Sequence, residues 1–74
     1  MRIMVRRAQD EFIAMQTAQG MENAGATVFS ITSDGQETYY GATKPHTRFC
    51  VWAKIESDSQ IDAIDEAIND EVSR

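Results

Sequence analysis

The chain is poor in the features that most often fix structure or activity in a small protein. It has a single cysteine, Cys50, which excludes an internal disulfide framework, so any core must hold by packing alone. It has one proline and four glycines, too few for a low-complexity or disordered tract. No apolar run approaches the roughly 18–20 residues that a membrane-spanning helix needs. The first residues, Met1 to Arg7, lack the apolar stretch of a secretory signal, so the expected location is the cytoplasm. Basic residues are outnumbered 7 to 12, giving a net charge of −5, which disfavours general nucleic-acid binding.

What is present is a globular composition, 42% hydrophobic and 26% charged, in 74 residues. That is one domain, residues 1–74. A chain this short buries only about 60% of its unfolded surface, so contacts with a partner would help to stabilise it. The charge is unevenly laid out. Residues 1–20 set Arg2, Arg6 and Arg7 against Asp10 and Glu11, and residues 21–55 balance to zero. Residues 56–74 set Glu56, Asp58, Asp62, Asp65, Glu66, Asp70 and Glu71 against Arg74 alone, so the acidic excess sits in the last quarter.

Arg2–Arg6 alternates as a short strand, with Ile3 and Val5 on one side and Arg2, Met4 and Arg6 on the other. Gln9-Asp10-Glu11 opens a helix, its acids at the positive end of the helix dipole. On a 3.6-residue period Ala8, Phe12, Met15 and Ala18 form its apolar stripe, with Ala14 and Met21 at the edge. Ile13 falls outside the stripe, Gly20 weakens the last turns, and Gly25 suits the left-handed position after the helix. Ala26–Thr32 reads as a strand. Asp34-Gly35 then signals a two-residue hairpin with Glu37–Tyr40 returning, the alternative being one long loop over 33–47. Arg48–Glu56 is the clearest strand, with Phe49, Val51, Ala53 and Ile55 alternating against Arg48, Cys50, Trp52 and Lys54. Ser57 with Gln60 forms a capping box for a last helix whose stripe is Ile61, Ile64, Ile68 and Val72.

The order is β-α-β-β-β-α. It implies an α+β two-layer sandwich: a three- or four-stranded mixed sheet, opened by a parallel pairing of the first two strands, with helices on one face. With Ile3, Val5, Phe29, Ile31, Phe49, Val51 and Ile55 toward the helices, the far face presents Arg2, Met4, Arg6, Val28, Cys50 and Trp52, joined by Tyr39 or Tyr40. Such a face suits a protein–protein contact, most simply a homo-oligomer, and the acidic helix of another copy could meet Arg2 and Arg6.

Three other constellations carry less. Tyr39, Tyr40, Lys44, His46 and Arg48 could stack and neutralise a small anionic ligand such as a nucleotide, although Gly41-Ala42-Thr43-Lys44 is no phosphate-binding loop. Cys50 and His46 are four residues apart, about 13 Å in an extended strand, too far for a nucleophile and its base. Asp58, Asp62, Asp65 and Glu66 share a helix face but offer too few oxygens to enclose a cation. That acidic helix could instead imitate a phosphate backbone and block a basic partner. No motif fixes an activity, and no cofactor or metal is implied. The expectation is a small soluble, non-enzymatic binding protein that self-associates, with an anionic-ligand binder and a charge-mimic inhibitor as alternatives.

Overall fold

A computed structural model describes the backbone of residues 1–37 and 46–74 and the side chains of 1–33 and 48–74. The elements run β1 (Arg2–Ala8), α1 (Glu11–Asn23), β2 (Thr27–Glu37), β3 (His46–Ile55), a 3₁₀ turn (Asp58–Gln60) and α2 (Ile61–Val72). The three strands form an open sheet in the order β1-β3-β2, each neighbouring pair antiparallel.

Two expectations about the sheet are corrected. First, β1 and β2 are not neighbours; β3 lies between them, and the described sheet is antiparallel rather than mixed. The central place goes to the strand with the most continuous apolar run. Cys50, Val51, Ala53 and Ile55 of β3 are all at most 4% exposed. A central strand is paired along both edges and packs best when apolar, whereas arginine-bearing β1 and the polar-interleaved β2 tolerate an edge. Second, Asp34-Gly35 does not turn the chain. β2 continues through it to Glu37, paired with His46, and the register with β3 slips between Ser33 and Gln36. Glycine inside a strand marks such an irregularity as readily as a turn. Residues 38–40 of the expected return strand lie outside the described residues.

The helix ends follow local chemistry. The Asp10 carboxylate accepts a hydrogen bond from the Ile13 amide at 2.8 Å and caps α1. At the other end Gly25 has φ +96°, the Gly25 amide bonds to the Glu22 carbonyl and the Ala26 amide to the Met21 carbonyl. These two bonds are the pattern of a helix closed by a left-handed residue. Before α2, the Gln60 side-chain oxygen accepts from the amides of Glu56 (2.7 Å) and Ser57 (3.2 Å), and the Ser57 side chain faces the Gln60 amide in return, which forms the expected capping box.

The core joins Met4, Ala8, Val51, Ala53 and Ile55 of the sheet to Ala14 and Met21 of α1, Ala26, and Ile64 of α2. Ile61 and Ile68 pack against it as their spacing implies, while Val72 is 36% exposed. The stripe expected for α1 is displaced. Phe12 and Met15 are 67% and 62% exposed, while Ala14, Thr17, Gly20 and Met21 are buried and Ile13 packs on the core. The cause is the close approach of the two helices. A Cβ built on Gly20 would stand 2.7 Å from Ile68 Cα and 2.9 Å from the Ala67 carbonyl oxygen. Only small side chains fit between the backbones, so the helix turns its small face inward and its large apolar residues outward. Thr17 is accommodated because its hydroxyl donates to the Ile13 carbonyl at 2.8 Å.

Candidate binding surface

The two faces of the sheet follow from the register. Opposite residues of paired strands project to the same side. Met4 faces Ala53, Ala53 faces Val28, and all three lie on the core side. Val5 faces Trp52, and Trp52 faces Ser30, on the other side. The pairing slips between Val28 and Ser30, with Phe29 as the extra residue.

This reverses the expected faces of β1 and moves four of the six residues expected on the outer face. Met4 is 5% exposed inside the core, and Val28 packs against that core. Arg6 reaches α2 on the core side, its Nε 2.7 Å from Asp65 Oδ1 and its second nitrogen 2.9 Å from Oδ2. Arg2 stands 3.3 Å from Asp58. The complementarity expected between Arg2 and Arg6 and the acidic helix of another copy is therefore satisfied within one chain. Alternation in Arg2–Arg6 is chemically ambiguous, since one phase carries two apolar residues and the other two arginines around Met4. In the structure the arginine phase is the one that meets acids, Asp58 of the 3₁₀ turn and Asp65 of α2.

The bidentate pair shifts both partners. Hydrogen bonding to Arg6 holds the Asp65 carboxyl below the usual carboxylate range, against a smaller opposing effect of burial, and the Arg6 guanidinium is raised in turn. Both side chains are more than a third exposed, so solvent screening limits the pair to about 1 kcal/mol at most. A lowered carboxyl stabilises the fold above its unfolded value, about 3.9, and that contribution fades as pH falls through the folded value. Asp65→Asn is therefore expected to cost up to about 1 kcal/mol at pH 7. The gap from the parent should close as urea titrations are repeated below pH 4; a gap that persists in acid would assign the loss to packing instead.

The outer face retains Trp52 and Cys50 of the expected set and gains residues that the sequence placed inside. Ile3 is 62% exposed, Val5 38% and Phe29 48%, with Trp52 half-buried among them. The Trp52 indole N–H donates to the Thr32 hydroxyl at 3.0 Å, which holds the ring across β2. Lys54 Nζ sits 5.5 Å from the centre of the Phe29 ring, a cation–π distance. Cys50 is 4% exposed. The charged strand residues that alternate onto this face, Arg7, Arg48 and Lys54, are all cations among the described side chains. A protein with net charge −5 thus shows a cation-rimmed, aromatic sheet face.

A second apolar area lies around the β2 edge. Met15, Ala18, Gln19, Glu22 and Ile31 line a shallow groove of about 240 Å³ between α1 and β2, and Ile31 is 44% exposed. The sequence signal for it was there: two large apolar residues, Phe12 and Met15, on a helix whose other face is small.

No protein family matches the chain, and no curated protein or solved structure matches it either.

The remaining candidates are soon placed. Tyr39, Tyr40 and Lys44 lie outside the described residues, as does the side chain of His46. Arg48 is half-buried in β3. His46 and Cys50 both belong to β3, four extended residues or about 13 Å apart. Among the described residues no three histidine, cysteine or acidic side chains gather into a metal-binding group. No helix among them is long and apolar enough to cross a membrane.

Proposed function

We propose that this chain is a small binding module that works by assembly with copies of itself rather than by catalysis. In this reading both helices roof one side of the sheet in a two-layer arrangement, and the other side is the contact. The observation that carries it is the cluster of Ile3, Val5, Phe29 and Trp52 on that side, three of them more than a third exposed. Apolar groups gathered on one face are stabilised by being covered, by about 25 cal/mol for each Å² removed from water. Arg7 and Lys54 lie toward opposite ends of the face, where their long stems can keep the charges in water.

Light scattering across a micromolar concentration series should show an oligomer, and Trp52 emission should shift to the blue as it forms. Val5→Lys should leave the fold intact and remove this contact. A strict monomer with concentration-independent emission would end the proposal.

One observation favours a second reading. The face combines two aromatic rings with cations and no described carboxylate, which also suits an anionic, ring-bearing ligand stacked on Trp52 or Phe29. Native mass spectrometry separates the two: a bound nucleotide-like species supports the ligand, and protein-only oligomers support self-assembly.

A further inference from the structure

Among the described residues the sheet has two open edges, and they are guarded very differently. β1 carries Arg2, Arg6 and Arg7, charges of the kind that protect an edge from pairing with another chain. In β2, the stretch from Thr27 to Ser33 contains no charge and no proline. Bulges also discourage edge pairing, and β2 has one at Phe29 and a second irregularity at Asp34-Gly35. Between them runs a regular, uncharged segment, Ser30–Ser33. Exposed apolar side chains flank it on both sides of the sheet: Phe29 on the outer face, Ile31 and Met15 on the helix side.

We infer that Ser30–Ser33 of β2 pairs antiparallel with the same segment of a second copy, continuing the sheet from three strands to six. This rests on the self-association proposed above and specifies its partner strand. Charge layout selects a second copy as the occupant. Two acids of the last quarter lie on the β1 side: Asp58 of the 3₁₀ turn meets Arg2 and Asp65 of α2 meets Arg6. Two copies joined along β2 keep these two carboxylates away from the junction, and Glu22, which lines the groove with Ile31, is the acid that the second copy must accommodate. A two-fold contact also places each copy's Ile31 and Met15 beside their counterparts across the junction.

Area points the same way. Three strands about 4.8 Å apart and seven residues long at about 3.3 Å each present roughly 330 Å² in plan. That is well short of the about 800 Å² per partner of a standard interface. Six strands double it to roughly 660 Å², so edge pairing enlarges the outer face toward the size at which a second sheet is held. Two different two-fold contacts then close on a tetramer.

The test is the mass of the assembled species by light scattering for the parent, Ile31→Lys, Val5→Lys and the double variant, each checked for fold by circular dichroism. Met15→Lys, on the helix side of the junction, replaces Ile31→Lys if that variant fails to fold. Ile31→Lys should halve the assembled mass, Val5→Lys should halve it by opening the face, and the double variant should be a monomer. Hydrogen exchange should also show amide protection in β2 rising with protein concentration. An unchanged mass in Ile31→Lys, or β2 protection indifferent to concentration, overturns edge pairing. An unchanged mass in Val5→Lys overturns the face contact alone. A monomeric parent overturns both.

Discussion

Gly20→Ala should lower the melting temperature by about 8–16 °C, although the same change in an exposed helix would raise it. Alanine is favoured over glycine in a helix interior by up to about 1 kcal/mol, and on sequence grounds Gly20 is simply a weak spot in α1. The structure reverses the sign. The added methyl would meet the Ile68 Cα at 2.7 Å and the Ala67 carbonyl oxygen at 2.9 Å. Both are backbone atoms, which cannot rotate away as a side chain can. The helices must separate, which loosens Ile64, Ile68 and Met21 together. Overpacking of this kind costs about 1–3 kcal/mol; contacts with backbone put it at the upper end, which less about 1 kcal/mol of helix propensity is a net loss of about 2 kcal/mol, and in a domain this small each kcal/mol moves the midpoint by about 4–8 °C. Thermal unfolding followed by circular dichroism measures it. A midpoint that rises would show that α1 and α2 do not meet at Gly20.

Met4→Lys and Val5→Lys, one residue apart, should behave oppositely. Met4 is 5% exposed and opposes Ala53 in the core, and the acids on its side of β1, Asp58 and Asp65, already pair with Arg2 and Arg6. An unpaired buried charge costs several kcal/mol, comparable to the about 3–5 kcal/mol that a single core of this size supplies. The variant should be unfolded at room temperature. Val5 is 38% exposed on the outer face, and lysine there keeps its ammonium in water. The fold should survive with a change within about 0.5 kcal/mol, as for ordinary surface substitutions. Far-ultraviolet circular dichroism of the two proteins side by side decides it. A folded Met4→Lys together with an unfolded Val5→Lys would restore the face assignment that alternation alone suggests.

Those two positions show where sequence reasoning reached its limit. In β1 the phase with Ile3 and Val5 is the more apolar, so alternation assigns it to the core. In the structure the arginine phase instead meets Asp58 and Asp65, more than fifty residues later, and Met4 goes into the core with it. In α1 the larger apolar residues define the stripe by hydrophobicity, yet the tight approach of α2 selects the smaller ones. The outer-face surface was legible in its idea and in Trp52 and Cys50, but four of its six expected members lie on the other side. The groove beside Ile31 was not anticipated, because it exists only once Phe12 and Met15 turn outward.

Local chemistry was decided along the chain itself. Asp10 and Gly25 bound α1, Gln60 ties the entry to α2, and the isoleucine spacing of α2 sets its buried side. Each rests on contacts within a few residues, and such contacts form wherever the rest of the molecule goes. Strand order, the choice of buried face in β1 and α1, and the meaning of Gly20 belonged to the assembled fold. Each is a competition between distant surfaces for the same space or charge, and its outcome depends on which partner arrives rather than on any neighbour in the chain.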